Sequence, residues 1–169
     1  IYKKDDRFIL VEDVLACLQH LANYHRRQLK CPVIAITGSN GKTTTKELIN
    51  RVLEKKFRTH CTKGNLNNHI GVPLTLLSAP ANCEMLVVEM GANHQQEIAI
   101  LSAIAMPDFG IISNVGKAHL GGFGGFEGVK KGKGELYEFL SEHHGSVFIN
   151  GDNPLLLQMA KERNVKHRI

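Results

Sequence analysis

The stretch Thr37-Gly38-Ser39-Asn40-Gly41-Lys42-Thr43-Thr44 constrains the fold more than any other, because of what flanks it. Pro32-Val33-Ile34-Ala35-Ile36 before it is apolar and largely β-branched, which reads as a buried parallel strand. After it, Thr44 to Phe57 sets Leu48, Val52 and Leu53 along one side of a helix. Strand, glycine loop and helix in that order make the context of a phosphate-binding loop. Glycines let backbone N–H groups approach phosphate oxygens, and the helix N-terminus adds unpaired donors and partial positive charge. Lys42 would reach the β- and γ-phosphates, and the Thr43 hydroxyl would ligate Mg²⁺. Gly38, Ser39, Asn40, Gly41 and Thr44 complete the expected nucleotide-binding set.

The general pattern G-x-x-x-x-G-K-[ST] asks for glycine where this chain has Ile36, so the shorter form G-x-x-G-K-T stands here. The plainer alternative is a glycine-rich strand-to-helix turn with no ligand. The Gly-Lys-Thr and the two flanking elements favour phosphate.

A length of 169 residues fits one domain able to bury a sizeable core. Apolar content of 43% and charged content of 22% are those of a soluble globular chain. No apolar run approaches the ~20 residues that span a bilayer, and the charged first residues lack the apolar core of a signal peptide. Membrane insertion is not expected, and a cytoplasmic location is. Cys17, Cys31, Cys61 and Cys83 are scattered without a C-x-x-C pair, so reduced thiols are expected rather than zinc or disulfides. The net charge of +5 suits anionic substrates. Without clustered arginines and interleaved aromatics, nucleic acid is not an expected partner.

From the N-terminus, residues 1–9 show no regular period, and a helix opens at Val11-Glu12-Asp13 and runs to about Leu29, with Val14, Leu18, Leu21 and Ala22 on one face. His25, Arg26, Arg27 and Lys30 complement its dipole and are expected in solvent. Arg58 to Thr62 reads as a short strand. The asparagine-rich loop Gly64-Asn65-Leu66-Asn67-Asn68-His69-Ile70-Gly71-Val72-Pro73 follows, with Pro73 as the first residue of a helix to Leu77. Cys83 to Gly91 is a second buried strand ending on Glu89. In open α/β sheets ligands lie beyond the carboxyl ends of strands, so Glu89 is placed to face nucleotide and metal; a helix-capping or surface carboxylate is the alternative.

A helix from about Gln95 to Ala105 leads to a third strand, Phe109 to Val115, and to a glycine-rich loop, Gly116 to Gly128, that carries His119. Val129 to about His144 reads as a helix with Leu136, Phe139 and Leu140 inward. Lys130, Lys131 and Lys133 near its start oppose the dipole, which hints at an anionic neighbour or a modified lysine. Ser146 to Asn150 is a fourth strand, followed by a helix to about Arg163 and the start of another strand at the C-terminus. Strands alternating with helices throughout mean an α/β fold with a mostly parallel, doubly wound sheet.

Taken together, Thr37 to Thr43, Gly64 to Leu77, Glu89-Met90-Gly91-Ala92-Asn93-His94-Gln95 and Ala118-His119-Leu120 resemble the Mur ligases, ATP-dependent amide-bond-forming enzymes of peptidoglycan synthesis. The resemblance covers nearly the whole chain and explains Ile36, since the short loop is the family's own. It implies a chain divided into 1–30, the end of an N-terminal domain or a linker helix, and 31–169, an incomplete central ATP-binding domain.

It further implies ATP and two Mg²⁺ ions: Thr43 and Glu89 would hold the first and His119 would help hold the second. Lys133, in Lys133-Gly134-Glu135-Leu136-Tyr137, matches the lysine that the family carbamylates. Lys42, Lys133 and His119 would be catalytic, and Asn67 and Asn68 would line the substrate cleft. The motifs point to the member that joins D-Ala-D-Ala to UDP-N-acetylmuramoyl-tripeptide through an acyl phosphate, working as a monomer. Another Mur-type ligase, a folylpolyglutamate synthase, or a nucleotide-binding module without ligase activity are the alternatives.

Overall fold

Short runs of β-branched and small apolar side chains build the centre of the sheet. The computed structural model describes residues 7–116 and 120–169. Six strands form one sheet: β1 (Val33–Thr37), β2 (Thr59–Cys61), β3 (Met85–Glu89), β4 (Phe109–Ile112), β5 (Ser146–Phe148) and β6 (His167–Arg168). Their order is β2-β3-β1-β4-β5-β6, and every pairing is parallel. The helices are α1 (Val14–Gln28), α2 (Lys42–Leu53), α3 (Gly71–Leu77), α4 (Glu97–Ala105), α5 (Leu120–Phe123), α6 (Phe126–Glu142) and α7 (Pro154–Glu162). The doubly wound α/β reading therefore holds.

Strand alternation divides the core. Val33, Ala35, Leu86, Val88, Ile112 and Val147 belong to the larger cluster, with buried residues of α3, α4, α6 and α7. Ile34, Ile36 and Val87 form a smaller cluster with Ile49 and Leu53 of α2 on the opposite face. Ile34 of β1 sits opposite Val87 on one side and Phe109 on the other, so β1 is central and the strand order reverses around it. That reversal opens a crevice at the carboxyl edge, directly beyond Thr37 and Glu89.

Several local expectations need correction. Leu48 and Val52 are exposed, and the stripe of α2 against the sheet is buried Lys46 with partly buried Ile49 and Leu53. Both sets have helical spacing; the structure buries the one that meets Ile34 and Val87. On α1, Val14 and Leu21 are exposed, while Ala22 and Arg26 are buried. Pro73 is the third residue of α3, not the first. α6 begins at Phe126, so Lys133 lies in mid-helix rather than in the first turn, and α5 occupies part of the segment read as loop. Phe139 is only half-buried, whereas Leu136 and Leu140 are fully buried.

Arg26 is not a solvated helix-end charge. Its guanidinium donates to the carbonyls of Ala105 at 2.8 Å, Met106 at 2.9 Å, Leu29 at 3.2 Å and Cys31 at 3.3 Å, and pairs with Asp108 at 3.0 Å. Asp108 in turn accepts from the Val33 N–H at 2.8 Å. One planar five-donor group thus ties α1 to the starts of β1 and β4. Arg26→Ala strands several carbonyls and is expected to cost on the order of 3 kcal/mol by urea denaturation. Exposed Arg27→Ala should stay within about 0.5 kcal/mol.

Candidate nucleotide-phosphate and metal site

The loop after β1 is shaped by two glycines with different duties. At Gly38, φ is +147° and a Cβ would run into the Ser113 hydroxyl, so backbone alone fits. At Gly41, φ is +76° with open space around it, and the left-handed backbone itself calls for glycine. Gly41, the N-cap residue, has no side chain with which to cap α2. The N–H groups of its first turn, which lack intrahelical partners, are therefore available to an anion.

The loop is braced from β4. Ser39 N–H donates to the Asn114 carbonyl at 3.0 Å, and Asn40 N–H donates to the Asn114 side-chain oxygen at 3.0 Å. The Asn40 carbonyl accepts from Ser113 Oγ at 2.7 Å and from Asn114 Nδ2 at 2.9 Å. Gly116 N–H donates to Ser39 Oγ at 2.9 Å. Thr37 Oγ1 donates to the Met90 carbonyl at 2.8 Å, which fastens the loop to the end of β3. Lys42 folds back over the loop, with Nζ 2.9 Å from the Gly38 carbonyl and 3.3 Å from that of Ser39. Partial burial lowers its pKa, and the Glu89 carboxylate pulls the other way.

Glu89, the last residue of β3, is 1% exposed. Its Oε1 accepts from Asn67 Nδ2 at 2.7 Å, while Oε2 is buried with no hydrogen-bond partner among the described residues. An orphaned buried carboxylate oxygen is costly unless something cationic meets it. It fits a hard divalent ion such as Mg²⁺, which takes one or two protein oxygens and completes its shell with phosphate and water. Among the described residues no group of three or more His, Cys, Asp and Glu is placed to hold a metal ion by itself. Asn67 reaches Glu89 because Gly91 is bare: a Cβ there would lie 2.8 Å from Asn67 Oδ1. Gly91 N–H also donates to the Asn67 carbonyl at 2.7 Å.

Two clefts meet here. One, of about 430 Å³, is lined by Ser39 to Thr44 together with Asn67 and Glu89. The other, of about 330 Å³, shares Lys42 and Asn67 and continues past Asn68, His69, Asn93 and Glu97 to Ile100 and Leu101. Asn68 lines the second cleft, but its Oδ1 accepts from the N–H groups of Ile70 at 3.1 Å and Gly71 at 2.9 Å. It orders the start of α3, and Asn67 is the asparagine that enters the phosphate cleft.

Lys133 is 2% exposed on α6, with Nζ 3.4 Å from the Ala92 carbonyl and 5.3 Å from the Phe123 ring centroid. Phe123 fits there because Gly132 is bare; a Cβ would press on the ring. Burial, helped by the Lys42 charge, lowers the Lys133 pKa to about 8. In the unfolded chain this lysine titrates near 10.4. Below pH 8 both states carry the proton and the folded state bears the full penalty; between about 8 and 10.4 only the unfolded state keeps it. Stability from this group therefore rises with pH across that window. Urea unfolding in CO₂-free buffer should show a gain on the order of 3 kcal/mol there, absent in Lys133→Met.

The structure brings Ser39, Asn40, Gly41, Lys42, Thr43, Thr44, Asn67 and Glu89 around one cleft, with Lys133 beside its neighbour; Gly38 does not line it, and its carbonyl holds the Lys42 ammonium. His119 lies outside the described residues. Sequence reading missed Ser113 and Asn114 as loop braces. It also missed Glu135, which reaches from α6 to accept from the N–H groups of Gln96 at 2.6 Å and Ala99 at 3.0 Å and so caps α4. Burial raises the Glu135 pKa, partly offset by those N–H groups.

Residues 36–169 match the Mur ligase middle domain family. The UDP-N-acetylmuramoyl-tripeptide–D-alanyl-D-alanine ligase of Bacillus subtilis is 47% identical over 148 residues, covering 88% of this chain and 32% of its own length. The ligase of the same name from Escherichia coli is 42% identical over 145 residues, covering 86% of this chain and 32% of its own. This chain thus spans about a third of the length of the curated relatives it matches. Among solved structures, MurF from Acinetobacter baumannii superposes with a TM-score of 0.87 at 38% identity, covering 95% of this chain and 35% of that one. MurF ligase from Thermotoga maritima in complex with ADP gives 0.86 at 34% identity, covering 99% and 38%. The chain belongs to the Mur ligases, and its residues 36–169 are the family's middle domain.

Proposed function

We propose that this chain is the ATP-binding part of a cytoplasmic ligase that joins D-Ala-D-Ala to UDP-N-acetylmuramoyl-tripeptide. The observation that carries the reading is the buried Oε2 of Glu89, without a hydrogen-bond partner among the described residues, in the cleft that the first turn of α2 also lines. Identity of 47% to a ligase of that name supports the choice of substrates. Residues 1–30 would close or follow a preceding domain, with 31–169 forming the nucleotide-binding core; a monomer is the working unit.

In this reading the N–H groups of Gly41 to Thr44 bind the phosphates and Lys42 neutralises their outer charge. Thr43 and Glu89 would hold a Mg²⁺ ion, which supplies Lewis-acid charge neutralisation when bound. The tripeptide carboxylate oxygen attacks the γ-phosphorus, the bond to the β-phosphate oxygen breaks, and ADP leaves. The amine of D-Ala-D-Ala then attacks the acyl carbon, loses a proton and expels inorganic phosphate. Lys42 serves the first step by letting an anionic nucleophile approach a polyphosphate.

Lys133 would act as its carbamate. A lysine amine must be neutral to add CO₂, and a pKa of about 8 leaves roughly a tenth neutral at pH 7, far more than an ordinary lysine. The carbamate converts a buried cation beside Lys42 into an anion, and with His119 it would hold a second Mg²⁺ ion. The test is the full-length protein supplied with ATP, Mg²⁺ and UDP-N-acetylmuramoyl-tripeptide, with D-Ala-D-Ala or single amino acids as acceptor. The expected product carries the dipeptide. A preference for a single amino acid such as glutamate would move the chain to another branch of the ligases.

A further inference from the structure

Lys46 is one of the largest fully buried side chains, with 0% exposure, yet nothing in the phosphate or metal chemistry uses it. It lies one helical turn beyond Lys42, on the stripe of α2 that packs against the sheet. A position that needed only packing would take an aliphatic side chain, since removing an ammonium from water is unfavourable unless its protons are bound. Its Nζ donates to the Thr62 carbonyl at 2.7 Å and lies 2.9 Å from Glu47 Oε1.

Thr62 is itself 0% exposed and stands where β2 gives way to the asparagine loop. Its N–H donates to the Val87 carbonyl at 3.0 Å, and its Oγ1 accepts from the Glu89 N–H at 3.0 Å. The path from Lys46 through Thr62 therefore ends on the backbone of the residue whose carboxylate has the unpartnered oxygen. Five residues after Thr62, Asn67 holds the other oxygen of that carboxylate.

We propose that Lys46 is a positioning residue for the metal site: through Thr62 it fixes the backbone of Glu89 and the start of the Asn67 loop, and so sets where the carboxylate meets a divalent cation. This rests on the reading of Glu89 as a metal ligand.

The charge of Lys46 makes the test discriminating. By Coulomb attraction alone, removing a cation beside the site would tighten divalent-ion binding. Loss of positioning weakens it, in the way that losing an outer-shell partner lowers metal affinity by about 10–100-fold. Mn²⁺ binding to the full-length protein at saturating ADP, followed by electron paramagnetic resonance, reads the difference without turnover. Lys46→Met and the charge-neutral Thr62→Val should each weaken Mn²⁺ by about 10-fold or more, and the double variant should be no weaker than the worse single one. Thr62→Ser, which keeps the hydroxyl, should bind close to wild type.

If Lys46→Met does not fold, Thr62→Val and Thr62→Ser carry the test. Glu89→Gln separates the two claims. Should Glu89→Gln lose Mn²⁺ while Lys46→Met and Thr62→Val bind it as wild type does, or tighter, positioning by Lys46 is overturned and the metal reading stands. Should Glu89→Gln bind Mn²⁺ as wild type does, the metal reading fails and the proposal fails with it.

Discussion

Lys42→Ala in the full-length protein is expected to lower ligation by about 10³-fold or more while leaving the fold intact. Loss of one preorganised donor at a developing charge commonly costs about 10²–10³-fold, and in the proposed reaction Lys42 is also the cation that lets a carboxylate approach ATP. In the structure its ammonium is held by two loop carbonyls, and Lys42 lines both clefts. It contributes little to the core, and the unfolding midpoint should move by only a few degrees. Turnover within 10-fold of wild type would remove Lys42 from the chemistry.

The second large effect concerns residues 1–169 alone, which should bind ADP weakly and form no amide bond. In the proposed reading phosphate recognition is local to the loop after β1, which is braced by Ser113 to Gly116, so it should not depend on distant chain. The proposed ligation needs the tripeptide carboxylate held in line with the γ-phosphate, and this chain spans only about a third of the relative's length. Such positioning can supply about 7–11 kcal/mol of barrier reduction, and its loss would put turnover below detection. Calorimetry with ADP and a phosphate-release assay with all three substrates check both halves. Ligated product at a rate near that of the full-length protein would show that the site is complete within these residues.

How much of this was legible in the sequence follows from the kind of signal each residue carries. The central strands announce themselves because Val33 to Ile36 and Leu86 to Val88 are continuous apolar runs, and only sheet centres buried on both faces need those. Glu89 stood out as an acid closing such a run, and Gly38 and Gly41 as glycines at a strand-to-helix turn. Lys46 and Arg26 did not stand out. Hydrophobic periodicity scores a long cation as solvent-facing, whereas here each aliphatic stem is buried and each head is bound by carbonyls that come together only in the fold.

On α2, two stripes of helical spacing competed, and only the contact with Ile34 and Val87 decides between them. The braces from Ser113 and Asn114, and the cap that Glu135 places on α4, join elements tens of residues apart. No local pattern encodes such pairings. The start of α6 was misplaced because glycines at 124, 125, 128, 132 and 134 mask a helix that uses several of them to admit Phe123 and Arg163.

In the proposed reaction this site activates a carboxylate by phosphorylating it with ATP. The most direct measurement uses the full-length protein and UDP-N-acetylmuramoyl-tripeptide labelled with ¹⁸O in the reacting carboxylate, and follows the label by mass spectrometry during one round of ligation. Attack of a carboxylate oxygen on the γ-phosphorus, followed by loss of phosphate to the incoming amine, predicts one ¹⁸O in each inorganic phosphate released. Ligated product accompanied by phosphate without the label would rule out an acyl-phosphate route.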